Sequence, residues 1–506
     1  MSKKFSSTVA GASILITTVA IISKGFGLFR EIIFANYFGL STNFEIYLVG
    51  AVLPITINTI ILYLGQNYLI PAYNKMKEKD SHLIDNFLTI NFLIFVLVGI
   101  GISLILYSFS NLIIKLYLQE TDLNTLKIVN NVFKLFLISI PLNCAVSFLS
   151  AYHQLNLEFK YPAYSQLILN ISLIILLIIF VGSLGIYAIP LGYISGSFLQ
   201  MVFLFKKARI KFRFERTSSI FKQFRNLIPG TILLVILIEI IGQLYVIADR
   251  YFYNSVPAGG IAALNYAQTI FLLPISILSM ALSTAIFPHF SQYLSKNLNT
   301  KVEEIFNRGI KINIALFVPV SIVFIFYGNL ILKIIFERGE FTVNDTAMTY
   351  QALFFYSLSL VFYSVYSITN KLLYSAGMVK ILLYITIAGI LIKIILNFLL
   401  VDTIGQNGLA LSTSLSYFFF FVSCLFIAYK RIKFQNKIIF FPELLFHLIN
   451  GMISLLVVRQ ISFLFSGSDI FFAIQVILFL ILYFSNIFIV KHSTIQILKG
   501  TINFLR

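Results

Sequence analysis

A charge in the middle of an apolar helix costs about 3 kcal/mol when the surroundings are lipid. The charged residues inside the apolar runs of this sequence are therefore the first candidates for chemistry. One run, from Val9, carries Lys24, Arg30 and Glu31 around the sequence Lys24-Gly-Phe-Gly27. In a straight helix Arg30 lies about 30 Å along the axis, at the far surface, where it snorkels to headgroups. A bend at the two glycines turns it toward a cavity instead. A second run, 226–252, contains Glu239 and Arg250. Cations of this kind hold phosphates and diphosphates, arginine with paired N–H donors and lysine as a point charge. A third run, 378–401, contains Lys393 and Asn397. Counted from the same side, Glu239 and Lys393 both lie about 20 Å deep. They are expected to form an internal ion pair, with Asn397 one turn beyond Lys393 hydrogen-bonding the carboxylate.

Uncharged polar residues recur in register with these cations. Asn265, Thr269, Ser276, Ser279 and Ser283 in run 259–291 are spaced by three, four or seven and share one helix face. Run 43–71 holds Glu45, Thr56, Thr59 and Tyr63 in the equivalent register. Two such faces can line a wet cleft, although small polar residues are also ordinary glue between membrane helices. A cleft with several cations, few anions and many aromatic rings suits an anionic amphiphile. There is no Walker A motif, nucleophile elbow, HExxH or pair of catalytic acids, so an enzyme is disfavoured and no cofactor is expected. The five histidines are scattered without ligand spacing, so no metal site is expected. Cys144 and Cys424 fall in apolar runs and read as core residues.

The elements that must position these residues are membrane helices. The chain is 59% hydrophobic and only 11% charged, with a mean hydropathy of +0.93. Apolar runs long enough to cross a bilayer recur throughout, giving an all-α polytopic membrane protein of about fourteen spans. The longest polar stretch is Lys206 to Arg225. Lys3 and Lys4 precede an apolar run too long for a cleavable signal peptide. The net charge of +18 lies mostly in alternate loops, as the positive-inside rule requires. It therefore reads as orientation rather than as nucleic-acid binding, and with an even span count it puts both termini in the cytoplasm. An internal repeat relates Arg30–Ile55 without a gap to Arg250–Ile275, pairing Glu45 with Asn265 and Leu53-Pro-Ile55 with Leu273-Pro-Ile275. Equivalent points are six spans apart, so the halves are parallel repeats, as in transporters that rock about a central site. The expected divisions are a six-helix lobe at 1–215, a second at 220–435 and two further helices at 438–506.

At the level of motifs, Ser23-Lys-Gly-Phe-Gly-Leu-Phe-Arg-Glu-Ile-Ile-Phe-Ala-Asn-Tyr-Phe-Gly39 resembles the first-helix signature of the MurJ (MviN-like) lipid II flippases. Ala262-Ala-Leu-Asn-Tyr-Ala267, Leu273-Pro274, Phe287-Pro288 and Glu337-Arg-Gly-Glu-Phe-Thr342 are similar to further signatures of that family. The resemblance implies the multidrug/oligosaccharidyl-lipid/polysaccharide exporter fold, with a cationic cavity between two lobes and a groove for a polyprenyl tail on the last two helices. It implies lipid II, a polyprenyl-diphosphate-linked glycan lipid, as substrate in the bacterial cytoplasmic membrane, and a loose association with the cell-envelope synthesis machinery. Arg30 matches a cavity arginine of the family and Glu45 an acidic position. Lys24 stands where the family usually has arginine, which keeps charge and loses the planar fork. Ile55-Thr-Ile-Asn58 and Gln268-Thr269 lack cations that the family commonly carries there. The expected substrate-binding set is Lys24, Arg30, Glu45, Asn58, Arg250, Asn265, Thr269 and Ser276. The two departures leave open an exporter of polyprenyl-linked O-antigen, capsular or exopolysaccharide units, and a multidrug or ion antiporter on the same architecture.

Overall fold

The computed structural model describes residues 9–79, 81–118, 122–210, 213, 230–432, 434, 439–462, 469–490 and 492. Most of the polar stretch from Lys206 to Arg225, the divisions at 215, 220, 435 and 438, and both termini fall outside the described residues. Among the described residues every regular element is helical. The helices are α1 (Val9–Phe38), α2 (Thr42–Leu64), α3 (Ile70–Lys79), α4 (Ile84–Ser108), α5 (Ser110–Tyr117), α6 (Leu123–Leu137), α7 (Ser139–Leu155), α8 (Lys160–Leu184), α9 (Ala188–Lys207) and α10 (Gly230–Arg250). They continue as α11 (Gly260–Pro274), α12 (Met280–Ser295), α13 (Asn299–Phe336), α14 (Val343–Ser357), α15 (Leu360–Ser375), α16 (Val379–Ile404), α17 (Gln406–Ile432), α18 (Phe440–Ser462) and α19 (Asp469–Ile489).

Nine stretches among the described residues are long and apolar enough to cross a membrane, or ten if α14 and α15, bent by 48°, form one span. One of the nine, Lys160–Lys207, holds two of the expected spans, α8 and α9. With α1, α10 and α19 added, the described helices follow the fourteen expected passes in order. Large apolar side chains such as Leu104, Ile179 and Leu399 are more than half exposed, which suits a surface solvated by lipid rather than by water.

The described residues pack into two compact units, Met1–Ala262 and Ala263–Arg506. In the first, α1 packs on α8, α2 on α6 and α7, α4 on α7, α9 on α7 and α8, and α10 on α2. In the second, α13 packs on α14 and α15, α12 on α15, α17 on α14, α15 and α16, and α18 on α13 and α19. The packing division lies beyond α10, whereas the repeat boundary read from the sequence precedes it. The first is a division by contact, the second by internal similarity.

That internal similarity is present in the backbone. Left-handed residues recur 220 positions apart: Gly39 (φ 51°) and Gly259 (φ 84°), Leu157 (φ 58°) and Gly377 (φ 71°), Gly185 (φ 54°) and Gly405 (φ 55°). The break between α6 and α7 matches the break between α14 and α15. At each, a serine hydroxyl donates to the carbonyl three residues back, Ser139 to Phe136 at 2.6 Å and Ser359 to Tyr356 at 2.8 Å. Such bonds compete with the helical ladder and bend it. Each half also has a five-residue π turn, Gly65–Leu69 and Ile275–Ser279, but these do not share the register of the repeat. The second follows directly on Pro274, which lacks the N–H that would continue the ladder.

Close packing depends on small residues. A Cβ at Gly196 would lie 3.0 Å from the Leu169 carbonyl, and one at Gly192 3.2 Å from Leu173 Cα. This Gly-x-x-x-Gly pair lets α9 lie against α8, where the apolar effect of water is absent and van der Waals contact must hold the helices.

Candidate binding site

In the first unit α1 is one continuous helix from Val9 to Phe38, so Gly25 and Gly27 do not break it. Arg30 is held on this helix with its side chain 28% exposed. Its Nη2 and Nε donate to Glu31 Oε1 at 2.6 and 3.2 Å, and Nη1 reaches Asn170 Oδ1 of α8 at 3.5 Å. The guanidinium also lies 5.7 Å from the Phe34 ring centre. One edge of the arginine fork is thus occupied by a buried carboxylate. What remains for an anionic ligand is the outer edge, and the adjacent pair is close to neutral. Lys24 is exposed on the same helix.

Arg250 closes α10 and is buried. Tyr47, also buried, lies within electrostatic reach of Arg30, Glu31, Tyr193 and Arg250. The two arginines paired by the repeat therefore act on one phenol in this unit. Glu45 accepts hydrogen bonds from the backbone N–H groups of Ile261 at 2.8 Å and Ala262 at 3.3 Å. Its carboxylate thus caps the N-terminus of α11, where the unpaired N–H groups and the helix dipole favour negative charge. Arg250 adds a favourable charge nearby. Asn58 is buried and donates to Ser139 Oγ at 2.9 Å, and Asn143 donates to Ser197 Oγ at 3.3 Å. This polar seam joins α2, α7 and α9.

In the second unit Asn265, Thr269 and Ser276 are half-buried on α11 and the π turn that follows. Thr269 and Ser276 donate to carbonyls of their own helix, Asn265 and Leu273, each at 2.9 Å. Ser279 instead bonds the Ser364 carbonyl at 3.0 Å and Ser367 Oγ at 2.6 Å on α15. Part of the stripe therefore acts as helix glue. Lys393 and Asn397 are both buried, and Ser412 Oγ donates to Asn397 Oδ1. Glu239 belongs to the first unit, half-buried, and accepts from Gln243 at 3.1 Å. Its pairing with Lys393 spans the two units and remains a proposal.

Sequence reasoning did not single out Tyr47, Tyr193 or Asn170, because aromatic and amide residues on α2, α9 and α8 carry no signal until packing brings them to Arg30. It also took the histidines as scattered. His153 is a structural tie, its ring nitrogens 2.9 Å from Glu158 Oε2 and 3.0 Å from the Leu204 carbonyl. His447 and His492, however, come together with Glu443. Half of that signal, Glu443 and His447 at i and i+4, was legible. His492, beyond the end of α19, was not. Cys144 and Cys424 are buried free thiols, as expected. Two open apolar grooves on the first unit, one of about 900 Å³ lined by Ile168, Ile175 and Phe198, lie apart from the arginines and suit hydrocarbon chains.

The family model described as lipid II flippase MurJ matches residues 34–445. The probable lipid II flippase MurJ of Borreliella burgdorferi is 26% identical over 470 residues, covering 90% of this chain and 89% of that protein. The lipid II flippase MurJ of Thermosipho africanus is 27% identical, covering 94% and 96%. Among solved structures, a lipid II flippase MurJ in an inward closed conformation is similar with a TM-score of 0.81 at 24% identity, covering 94% of this chain and 98% of that one. An inward-facing multidrug resistance transporter of the MATE family is similar with a TM-score of 0.68 at 13% identity, covering 83% of this chain and 98% of that one, a likeness of fold. With its arginines, its succession of apolar helices and a family match over most of its length, the chain belongs to the lipid II flippase MurJ family.

Proposed function

We propose that this chain carries lipid II across the bacterial cytoplasmic membrane by alternating access, rocking one six-helix repeat against the other. The observation that carries the reading is the match to the lipid II flippase family over residues 34–445, joined by the arginines Arg30 and Arg250 at equivalent positions of the repeat. The outer edge of Arg30 takes a diphosphate oxygen, with Lys24 as a second cation and the prenyl chain left in lipid. Glu45, Asn58, Asn265, Thr269 and Ser276 complete the polar lining. Glu239, Lys393 and Asn397 form a charge-neutral internal contact in which the ammonium occupies the place of a coupling cation. Both termini lie in the cytoplasm, and contacts with envelope-synthesis proteins are loose. The chain transports and does not transform its substrate.

A second reading, export of another polyprenyl-linked glycan, is favoured by Gln268-Thr269 and by Asn58, which is turned into a buried contact with Ser139. Depletion of the protein in its host, followed by lipid extraction, separates the two. Lipid II is expected to accumulate. Accumulation of a different polyprenyl-linked glycan, with lipid II unchanged, would replace the first reading with the second.

A further inference from the structure

At one end of the α18–α19 hairpin, three ligand-type side chains converge: Glu443 in the first turns of α18, His447 one turn later, and His492 just past α19. Their nearest ligand atoms all lie within 4.8 Å of one another. Glu443 Oε2 is 3.9 Å from His447 Nε2 and 3.6 Å from His492 Nε2. His492 is stacked flat on Phe446, ring centres 4.0 Å apart and planes at 7°, and its side chain is 19% exposed.

The hydrogen-bond network around His447 accommodates a metal-ligating tautomer. Tyr483 Oη lies 3.2 Å from the Ala315 carbonyl of α13 and 2.8 Å from His447 Nδ1. With the phenolic proton given to the Ala315 carbonyl, the phenol oxygen accepts from His447 Nδ1, and this is the tautomer that leaves Nε2 free to ligate. In the neutral ring the Nε2 lone pair is therefore directed at Glu443 Oε2. Among the described residues neither of those two buried atoms has a hydrogen-bond partner, and 3.9 Å is too long for a bond between them. Two acceptors facing each other across a gap of that size call for a cation between them.

Lys311 Nζ holds the other oxygen, Oε1, at 2.9 Å, which leaves Oε2 turned toward the two imidazoles. Neutral imidazole is the form that ligates. Two metal–ligand bonds of about 2.0–2.1 Å span at most about 4.2 Å, which contains both measured gaps. Tetrahedral bonds of that length set ligand atoms about 3.4 Å apart, so the 3.9 Å pair must close slightly and His492, the least buried of the three, must draw in. The Nδ1–H donated to Tyr483 is the outer-shell contact that orients a metal-bound histidine.

We propose that Glu443, His447 and His492 form a three-ligand site for a divalent transition metal of the zinc class. Two imidazoles and one carboxylate suit zinc, cobalt(II) or nickel(II) rather than magnesium or calcium. The fourth position opens on the exposed side of His492, for water or an anion. Bound there, the metal clasps the start of α18 to the end of α19 and, through Tyr483 and Lys311, ties both to α13. The proposal stands on its own residues and does not depend on the transported lipid.

The test uses the full chain purified in detergent, stripped with chelator and titrated with zinc chloride, and with cobalt(II) chloride for its visible absorption. One equivalent of zinc is expected to bind and to raise the unfolding temperature, and cobalt is expected to give the intense bands of a four-coordinate site. His492→Ala and Glu443→Gln should each weaken binding at least tenfold. Tyr483→Phe should weaken it about 10–100-fold through the outer shell. His492→Ala, at the partly exposed position, serves as the variant that stays folded, checked by a single symmetric peak in size exclusion. Wild-type affinity no tighter than that of the His447→Gln/His492→Ala variant, or stoichiometric binding unaffected by His492→Ala, would overturn the site.

Discussion

Arg30 acts as a cation that brings its own counter-charge. Glu31 takes the Nε–Nη2 edge, so the guanidinium is oriented and its outer edge is presented without a large net field. Lysine at this position keeps the charge but cannot hold Glu31 with one edge and a ligand with the other. Arg30→Ala is expected to abolish transport, and Arg30→Lys to retain part of it. Arg30→Ala also removes the two guanidinium hydrogen bonds to the buried Glu31 carboxylate, at a cost of roughly 1–3 kcal/mol. The double variant Arg30→Ala/Glu31→Gln should therefore recover the thermal stability of the protein and not its transport. Lipid translocation in proteoliposomes, read beside thermal unfolding, checks both halves. Normal transport by a well-expressed Arg30→Ala protein would remove the arginine from the site.

The helices are joined by turns that depend on glycine at specific places. Gly185 and Gly405 end α8 and α16 with the same backbone, φ 54° and ψ −130° against φ 55° and ψ −135°, a region that L side chains avoid. At Gly185 an added Cβ meets nothing within 4 Å, so only backbone strain opposes substitution. Gly185→Ala should lower stability by about 1–3 kcal/mol. At Gly259 the same Cβ would also stand 2.9 Å from both Cβ and the carbonyl oxygen of Leu40. Gly259→Ala is expected to be the more damaging substitution, because it also presses on the turn beside the helix start that Glu45 caps. Unfolding temperatures in one detergent give the order, and equal losses at the two sites would show that the Leu40 contact yields freely.

At the scale of the whole molecule, two parallel repeats imply a working cycle in which the polar faces of α2 and α11 meet water in turn. Thr59 is exposed and Ser276 is half-buried. Cysteine at either position is expected to react with a membrane-impermeant thiol reagent, and the rate should change when substrate is supplied. The native thiols give little background, since Cys144 and Cys424 are both buried. Protection of both introduced cysteines under all conditions would assign the stripes to helix contacts, as the Ser279–Ser367 bond already does for one residue.

The all-helical membrane class, the recurrence of the two halves and the family are readable along the chain. They depend on apolar run length, the placement of Lys and Arg, and register, which are one-dimensional properties. The register even foretells backbone geometry, since the left-handed residues at 39, 157 and 185 reappear at 259, 377 and 405. What each polar group spends itself on was not readable. Glu45 was expected among the residues facing the ligand, and only the structure shows that its carboxylate also caps a helix more than two hundred residues away. Arg30 was expected to offer paired N–H donors to a ligand, and only the structure shows that one edge belongs to its neighbour. Glu443, His447 and His492 come from two helix ends that only the hairpin of α18 and α19 brings together. A buried polar group must find partners wherever packing supplies them, because lipid offers none. That choice belongs to three-dimensional neighbours, and spacing along the chain does not encode it.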